Sequence, residues 1–412
     1  MRTDGIVASG RRAVVRVELA SDQIEDLKAV LAHALAEDGC ALVVRNTVRR
    51  AQETAAALRV LFGDDVHLMH SRFILHDRSR NDEWLRQSVG PPLPEESAAH
   101  RPKRCIVVAT QVVEQSLDID FDILVTDIAP IDLVLQRLGR VHRHARGAGE
   151  SGRPRALRDP RCIVTGVRDW GTEPPQFDAG VSAVYTKDML YRAAALLMEI
   201  TEGSGVIRLP QDIAPLVHRA YGDEVLGPES WQPAMARARS EAASRRADAQ
   251  ARAGVFRVAS PGPAGEPITG WLHGSPGEAD ETATGRAQVR DSDDSIEVLL
   301  LQRSPDGQLR VPDWIGDPLH GAPVPVHTAP DTDLVLAMAR CSIRLPGSVG
   351  RGTAGDELLA ALESFCPIAW QTRPELRGQL VLALDDVPTM PVAGHWFRYS
   401  ESTGLEDDRS AR

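Results

Sequence analysis

Arg140 and Arg143 stand three residues apart in the run Gln136-Arg137-Leu138-Gly139-Arg140-Val141-His142-Arg143. If Val134 to Arg143 is helical, that spacing puts both guanidinium groups on one face, with Gln136 one turn earlier. Guanidinium forks fixed in this way can reach a transferring phosphoryl group and neutralise its developing charge, a task that the point charge of lysine does not take over. Gly139 suits close approach of the backbone to a ligand or a neighbouring strand. Standing alone, the octet reads equally as an amphipathic helix with a solvated arginine face.

Further polar groups fall at the ends of apolar runs, where open parallel sheets build their ligand sites. Ile106-Val107-Val108-Ala109 ends in Thr110-Gln111, whose hydroxyl and amide can donate to a nucleic-acid phosphate. Asp118 follows at the end of Glu114-Gln115-Ser116-Leu117, placed to accept from a ribose hydroxyl. Arg45-Asn46-Thr47 marks the turn from a strand into a helix, and a helix N-terminus is a natural phosphate seat. His70-Ser71-Arg72 ends the next strand in the same way. Singly, Thr110 and Asp118 serve as turn formers or caps. Three successive strand ends with phosphate-compatible groups predict a nucleic-acid track across one edge of the sheet.

The elements that must position these residues alternate between short apolar runs and amphipathic segments from about Arg12 to Gly166, the pattern of a parallel sheet wrapped by helices. Strands are expected at Ala13 to Leu19, Cys40 to Arg45, Val66 to His70, Cys105 to Ala109, Ile123 to Asp127 and Cys162 to Val164. Helices are expected at Ser21 to Glu37, capped by Ser21 or Asp22, and at Thr47 to Phe62, Leu75 to Ser88 and Ile131 to Leu138. Helical segments follow at Ala183 to Ile200, Gln211 to Tyr221 and Trp231 to Ala253. Past the Pro/Gly-rich run Ser260 to Gly277, a strand at Ile296 to Gln302 and helices near Thr332 to Arg344 and Asp356 to Phe365 read as a small α+β domain. The expected division is 12–168, 169–255 and 256–412.

The 412 residues suffice for two or three domains, and 42% hydrophobic with 25% charged residues is ordinary for a soluble globular protein. The net charge of -11 argues against indiscriminate nucleic-acid binding, yet residues 1–150 carry 20 Lys+Arg against 22 Asp+Glu, so the surplus acidity lies mostly later. Five scattered cysteines without CxxC spacing predict buried thiols in a reducing compartment, not a zinc site. No signal peptide and no apolar run of membrane-spanning length is present, so a cytoplasmic protein without membrane contact is expected.

The order VVRNTVRRAQE, LMHSRF, VVATQVVEQSLDIDFDILVTD and LQRLGRVHRH resembles the second RecA-like domain of superfamily-two helicases. More narrowly it resembles the helicase and nuclease of type I CRISPR systems, which degrades DNA marked by a crRNA-guided surveillance complex. The later segment AQVRDSDDSIEVLLLQR resembles the C-terminal domain of those enzymes. The resemblance implies arginine fingers at Arg140 and Arg143, nucleotide contacts from Gln136, Gly139 and Asp118, and a single-stranded DNA track along Asn46, Thr47, Ser71, Arg72, Thr110 and Gln111. It implies ATP as the nucleotide, and a C-terminal domain that covers the DNA channel and engages the surveillance complex.

Parts of such a motor are missing from the sequence. Neither a GxxxxGK[ST] phosphate cradle nor an acidic strand-end motif for magnesium stands out. Gly347 to Thr353 has Thr where Lys is needed, and Asp223-Glu224 follows no apolar strand. The nuclease's His/Asp metal cluster is also unseen: His76-Asp77 reads as a solvated pair, and His142 and His144 lack metal partners, so no metal site is assigned. The expectation is therefore an α/β chain, the C-terminal portion of a CRISPR-associated DNA helicase from a split or truncated gene. It shares ATP with a first RecA-like domain on another polypeptide, which also carries the Mg2+ site and the nuclease. The alternatives are a non-enzymatic module binding nucleic acid or the surveillance complex, and a decayed fragment.

Overall fold

The computed structural model describes residues 12–92, 101–114, 117–168, 170, 173–254, 296–316, 319–347, 349–350, 352–365, 367–385 and 392–408. Its first layer is a sheet of β1 (Ala13–Leu19), β2 (Gly39–Val44), β3 (Val66–Met69), β4 (Arg104–Ala109), β5 (Ile123–Asp127), β6 (Arg161–Thr165) and β7 (Val206–Leu209), in the order β3-β4-β2-β5-β6-β1-β7. All neighbours run parallel except β7, which pairs antiparallel with β1. Strand β2, GCALVV, is buried at all six positions, which is why it reads as an unbroken apolar run: helices cover both faces of a parallel sheet.

Helices α1 (Ile24–Ala34), α2 (Val48–Phe62), α3 (Leu75–Val89) and α4 (Ile131–Leu138) wrap the sheet. Leu27, Leu31 and Ala34 of α1, and Ala51, Thr54, Ala55 and Leu58 of α2, are the buried stripes that amphipathic spacing predicts. The expected cap of α1 is replaced: Gln23 occupies the position without a side-chain bond, because Asp22 is drawn away to Arg50 at 2.8 Å and to the Gly166 amide at 3.1 Å.

Helices α5 (Ala179–Val184), α6 (Lys187–Glu202), α7 (Ile213–Tyr221) and α8 (Gln232–Gly254) follow. The single helix expected over Ala183 to Ile200 is broken at Tyr185, whose backbone is extended. Strand β7 was not anticipated. One continuous apolar core takes in Val15 and Val107 of the sheet, Leu196 of α6 and Met235 of α8, so packing runs on past residue 168.

A second core gathers β8 (Glu297–Arg303), β9 (Leu309–Arg310), α9 (Thr332–Arg340), β10 (Ser342–Arg344), α10 (Gly352–Glu363), β11 (Leu380–Asp385), β12 (Trp396–Ser400) and β13 (Gly404–Asp408). Strand β8 lies between antiparallel β10 and parallel β11, while β12 and β13 form a hairpin. Helix α9, capped by Asp331 through the Leu334 amide at 2.9 Å, stops at Arg340 and not at the expected Arg344 because Ser342–Arg344 pair with β8. Ile74 from the first layer is buried in this second core. Cys40, Cys105, Cys162 and Cys341 are buried free thiols, while Cys366 lies outside the described residues. No described helix is long and apolar enough to cross a membrane.

Candidate functional site

Helix α4 is anchored by buried Ile131, Val134, Leu135 and Leu138, and it ends at Leu138. The helix expected over Ile131 to Leu138 is found with those bounds, and the conditional extension through Arg143 is not helical. After Gly139 the chain turns and bridges to Phe121, with Phe121 N donating to Arg140 O at 2.9 Å and His142 N donating to Phe121 O at 2.9 Å. An added Cβ at Gly139 would lie 2.9 Å from the Gln136 carbonyl oxygen, so the turn is tight there. Even so, Gln136, Gly139, Arg140 and Arg143 come together with Glu114, Leu117 and Asp118 around a cleft of about 420 Å³.

The two arginines sit differently. Arg140 is 8% exposed, and its Nη atoms donate to the carbonyls of Leu117 and Glu114, each at 2.6 Å. Its Nε has no partner among the described residues. Burial, with the Arg143 charge adding to it, lowers the Arg140 pKa. Arg143 is more open and donates to the Asp118 carboxylate, which His144 Nε2 also meets at 2.9 Å. Burial raises the Asp118 pKa, but the bonds from Arg143 and His144 together outweigh it and hold the carboxyl below its ordinary value. Two guanidinium groups on one cleft suit a ligand with several anionic oxygens.

The loop that carries Arg143 is held by a residue absent from the sequence-based candidates. Asp120, fully buried, accepts from the Arg143 amide at 2.8 Å, from Arg146 Nε at 2.5 Å and from Arg153 Nη2 at 2.9 Å. Burial raises its pKa, and the charges of Arg153 and Arg101 more than reverse that. Asp122 accepts from the Cys40 amide at 2.7 Å and from Arg101 at 2.9 Å. The alternation Asp118-Ile119-Asp120-Phe121-Asp122 ahead of an arginine-rich loop was the available signal.

On the carboxyl edge, the order β3-β4-β2 brings Ser71 and Arg72, Thr110 and Gln111, and Asn46 and Thr47 side by side. Several of these side chains are already engaged. Asn46 is 2% exposed, donating Nδ2 to Ile128 O at 2.7 Å and its backbone amide to Asp127 at 3.0 Å. The expected phosphate seat at the start of α2 therefore already holds the Asp127 carboxylate. Thr47 caps α2 by accepting from the Arg50 amide. Thr110 is buried, and Gln111 Nε2 donates to Asn46 O at 3.0 Å and to Tyr185 OH at 3.2 Å. Ser71 is exposed.

Between the edge and the cleft lies Arg137, wholly buried and also missed. It donates to Glu114 Oε1 at 2.7 Å, Thr126 Oγ1 at 2.8 Å, Asp127 O at 3.0 Å, and Asn46 Oδ1 and Tyr185 OH at 3.2 Å. An arginine beside Val134 and Leu138 on the apolar face of α4 was the sign of a buried partner network.

The β12–β13 hairpin closes over the end of β3. Leu405 N donates to Arg72 O at 2.8 Å, and Gln52 Nε2 donates to Thr403 O at 2.9 Å. His70 Nδ1 accepts from the Arg72 amide at 3.1 Å, so Nε2 carries the proton donated to Thr403 O at 2.9 Å. Gly404 has φ +69° and lies so close that an added Cβ would come within 2.5 Å of Arg72 O. The solvated reading of His76-Asp77 is corrected for Asp77: it is fully buried under this domain, accepting from Tyr399 OH and from Trp314 Nε1 at 3.2 Å. Among the described residues no group of three or more His, Cys, Asp or Glu side chains is placed to hold a metal ion.

Residues 37–146 match the family model described as CRISPR-associated nuclease/helicase Cas3, C-terminal, and residues 290–405 match the Cas3 C-terminal domain. The chain is 32% identical over 401 residues to the CRISPR-associated nuclease/helicase Cas3 of Streptococcus thermophilus, across 93% of this chain and 40% of that protein. Its fold resembles a crystallised CRISPR-associated protein at 27% identity and TM-score 0.75, over 97% of this chain and 42% of the other. It also resembles T. fusca Cas3 crystallised with ATP, at 24% identity and TM-score 0.75, over 98% and 44%. A chain of a CRISPR RNA-guided surveillance complex before nicking matches at 23% identity and TM-score 0.68, over 96% and 45%. The chain thus spans less than half the length of these relatives.

Proposed function

The chain belongs to the Cas3 nuclease/helicase family as its C-terminal portion, and from that membership we propose that it is the second RecA-like half of an ATP-driven motor on single-stranded DNA in antiviral defence. Arg140 and Arg143 act as arginine fingers, Gln136 and Gly139 border the phosphates, and Asp118 faces the ribose. The observation that carries this reading is the convergence of all five on one cleft.

The donor set fits a polyphosphate and does not fit magnesium. Apart from Glu114, whose carboxylate is taken by Arg137, the cleft's carboxylate is Asp118, already paired with Arg143 and within hydrogen-bond reach of His144. Mg2+ and the phosphate cradle therefore belong to a first RecA-like domain outside this sequence, and ATP is shared between the two. Bound there, ATP supplies the phosphoryl group whose transfer the motor uses. Arg143 must leave Asp118 to reach a phosphate, whereas Arg140 is held at the cleft by two backbone carbonyls. Single-stranded DNA runs over the strand-end edge built by Asn46, Thr47, Thr110, Gln111, Ser71 and Arg72, meeting exposed groups such as Ser71 while buried Asn46 and Thr110 shape the edge from beneath, beside the β12–β13 hairpin. The C-terminal domain is the part that meets the crRNA-guided surveillance complex.

Reconstitution tests the reading. The chain alone is expected to leave ATP intact, and addition of the polypeptide carrying the first RecA-like domain is expected to produce DNA-stimulated hydrolysis. Unchanged phosphate release on mixing would count against it.

A further inference from the structure

Tyr185 sits in the break between α5 and α6, outside every segment that suggested a motor. Its hydroxyl accepts twice, from Gln111 Nε2 at 3.2 Å and from Arg137 Nη2 at 3.2 Å. With both lone pairs taken, the hydroxyl has only its proton left to give. Burial raises the Tyr185 pKa, which keeps that proton in place at neutral pH. Helix α5 holds the ring over the strand ends at two further points. Asp178 pairs with Arg50 at 2.8 Å, and Gly180 packs so near Thr47 that an added Cβ would lie 3.2 Å from its Cγ2.

Resting on the reading that DNA follows this edge, we propose that Tyr185 contacts the DNA backbone and positions the nucleotide cleft: its hydroxyl donates to a phosphodiester oxygen that passes over the strand-end edge, and Arg137 and Glu114 carry that occupancy to Arg140. The physical route is continuous. Donation by a hydroxyl strengthens the bonds it accepts, so a bound phosphate tightens Arg137 onto Tyr185. Arg137 grips the Glu114 carboxylate at 2.7 Å, and the Glu114 carbonyl is the 2.6 Å acceptor for Arg140.

The test is amide hydrogen exchange on the full chain, with and without saturating oligothymidylate, in the native protein and in Tyr185→Phe. In the native protein DNA is expected to protect the first turn of α2 and also to slow exchange in 136–143. In Tyr185→Phe the protection at α2 is expected to stay, while the DNA-induced change in 136–143 shrinks by about fivefold or more. A merely structural tyrosine would alter exchange without DNA and leave the DNA-induced difference intact. If 136–143 responds equally in both proteins, or in neither while α2 is protected, the relay is overturned and the DNA track stands. If oligothymidylate protects neither segment of the native protein, the track itself is wrong and the relay falls with it. A matching Tyr185→Phe melting temperature secures the comparison.

Discussion

Arg137 and Glu114 form an ion pair at 2.7 Å with both side chains buried, between the strand-end edge and the cleft lined by Gln136, Arg140 and Arg143. The remaining guanidinium donors are met by Thr126, Asp127, Asn46 and Tyr185, so the charge is fully partnered where water does not reach.

Removing one member of such a pair strands the other. Arg137→Ala is expected to lower unfolding free energy by roughly 3–5 kcal/mol, read from urea denaturation. Arg143→Ala breaks a pair whose side chains are 38% and 51% exposed, and is expected to cost less than about 1 kcal/mol. Equal losses in the two variants would mean that Arg137 is not the hub described.

The hairpin roof should be acid-labile through His70. Burial holds this imidazole at about 3, against 6.5 for the free group, despite the opposing bond to Thr403. Between those values the unfolded chain binds the extra proton. The stabilisation is therefore complete above 6.5 and is lost as pH falls through the window, by about 1.4 kcal/mol per unit. Protection factors at 403–405, which allow for the intrinsic slowing of exchange in acid, are expected to fall between pH 7 and pH 5.5 in the native protein. His70→Gln keeps a donor for Thr403 and should flatten the response; an unchanged slope would assign it elsewhere.

Asp77 has the opposite sign. Burial raises its pKa despite the bond from Tyr399, so its favourable contribution is greatest in acid and is lost as pH rises from the ordinary carboxylate range through the raised value. Asp77→Asn retains an acceptor for Tyr399 and Trp314 and is expected to melt at or above the native temperature at pH 7.5. Asp77→Ala leaves those donors unmet and should cost about 1–3 kcal/mol. A lower melting temperature for Asp77→Asn would show that the charge itself holds the two domains together.

The first six strands were legible because buried parallel strands write themselves as unbroken apolar runs, as Cys40 to Val44 and Ile123 to Val125 do. Strand β7 was not: Val206–Leu209 is a four-residue edge strand, half-exposed, and its partner β1 lies almost two hundred residues earlier. The break at Tyr185 was overshadowed by the helix formers of Lys187–Glu202, although Val184-Tyr185-Thr186 favours extended backbone and Thr186 takes the N-cap of α6. The grouping of Gln136, Arg140, Arg143 and Asp118 could be read from motif order. That Asn46 and Thr110 are buried, that Asp120 pins the Arg143 loop and that Asp77 lies beneath Tyr399 are consequences of tertiary contact, which periodicity does not encode.

The most direct test of the central claim is steady-state ATP hydrolysis by the chain reconstituted with a first RecA-like domain and single-stranded DNA, comparing native protein with Arg140→Ala and Arg143→Ala. The account predicts that each substitution lowers kcat by about a thousandfold or more while the KM for ATP moves little, since a finger acts on charge that develops during transfer. A kcat that stays within about twofold of native in both variants, against the loss expected of a finger, would contradict it.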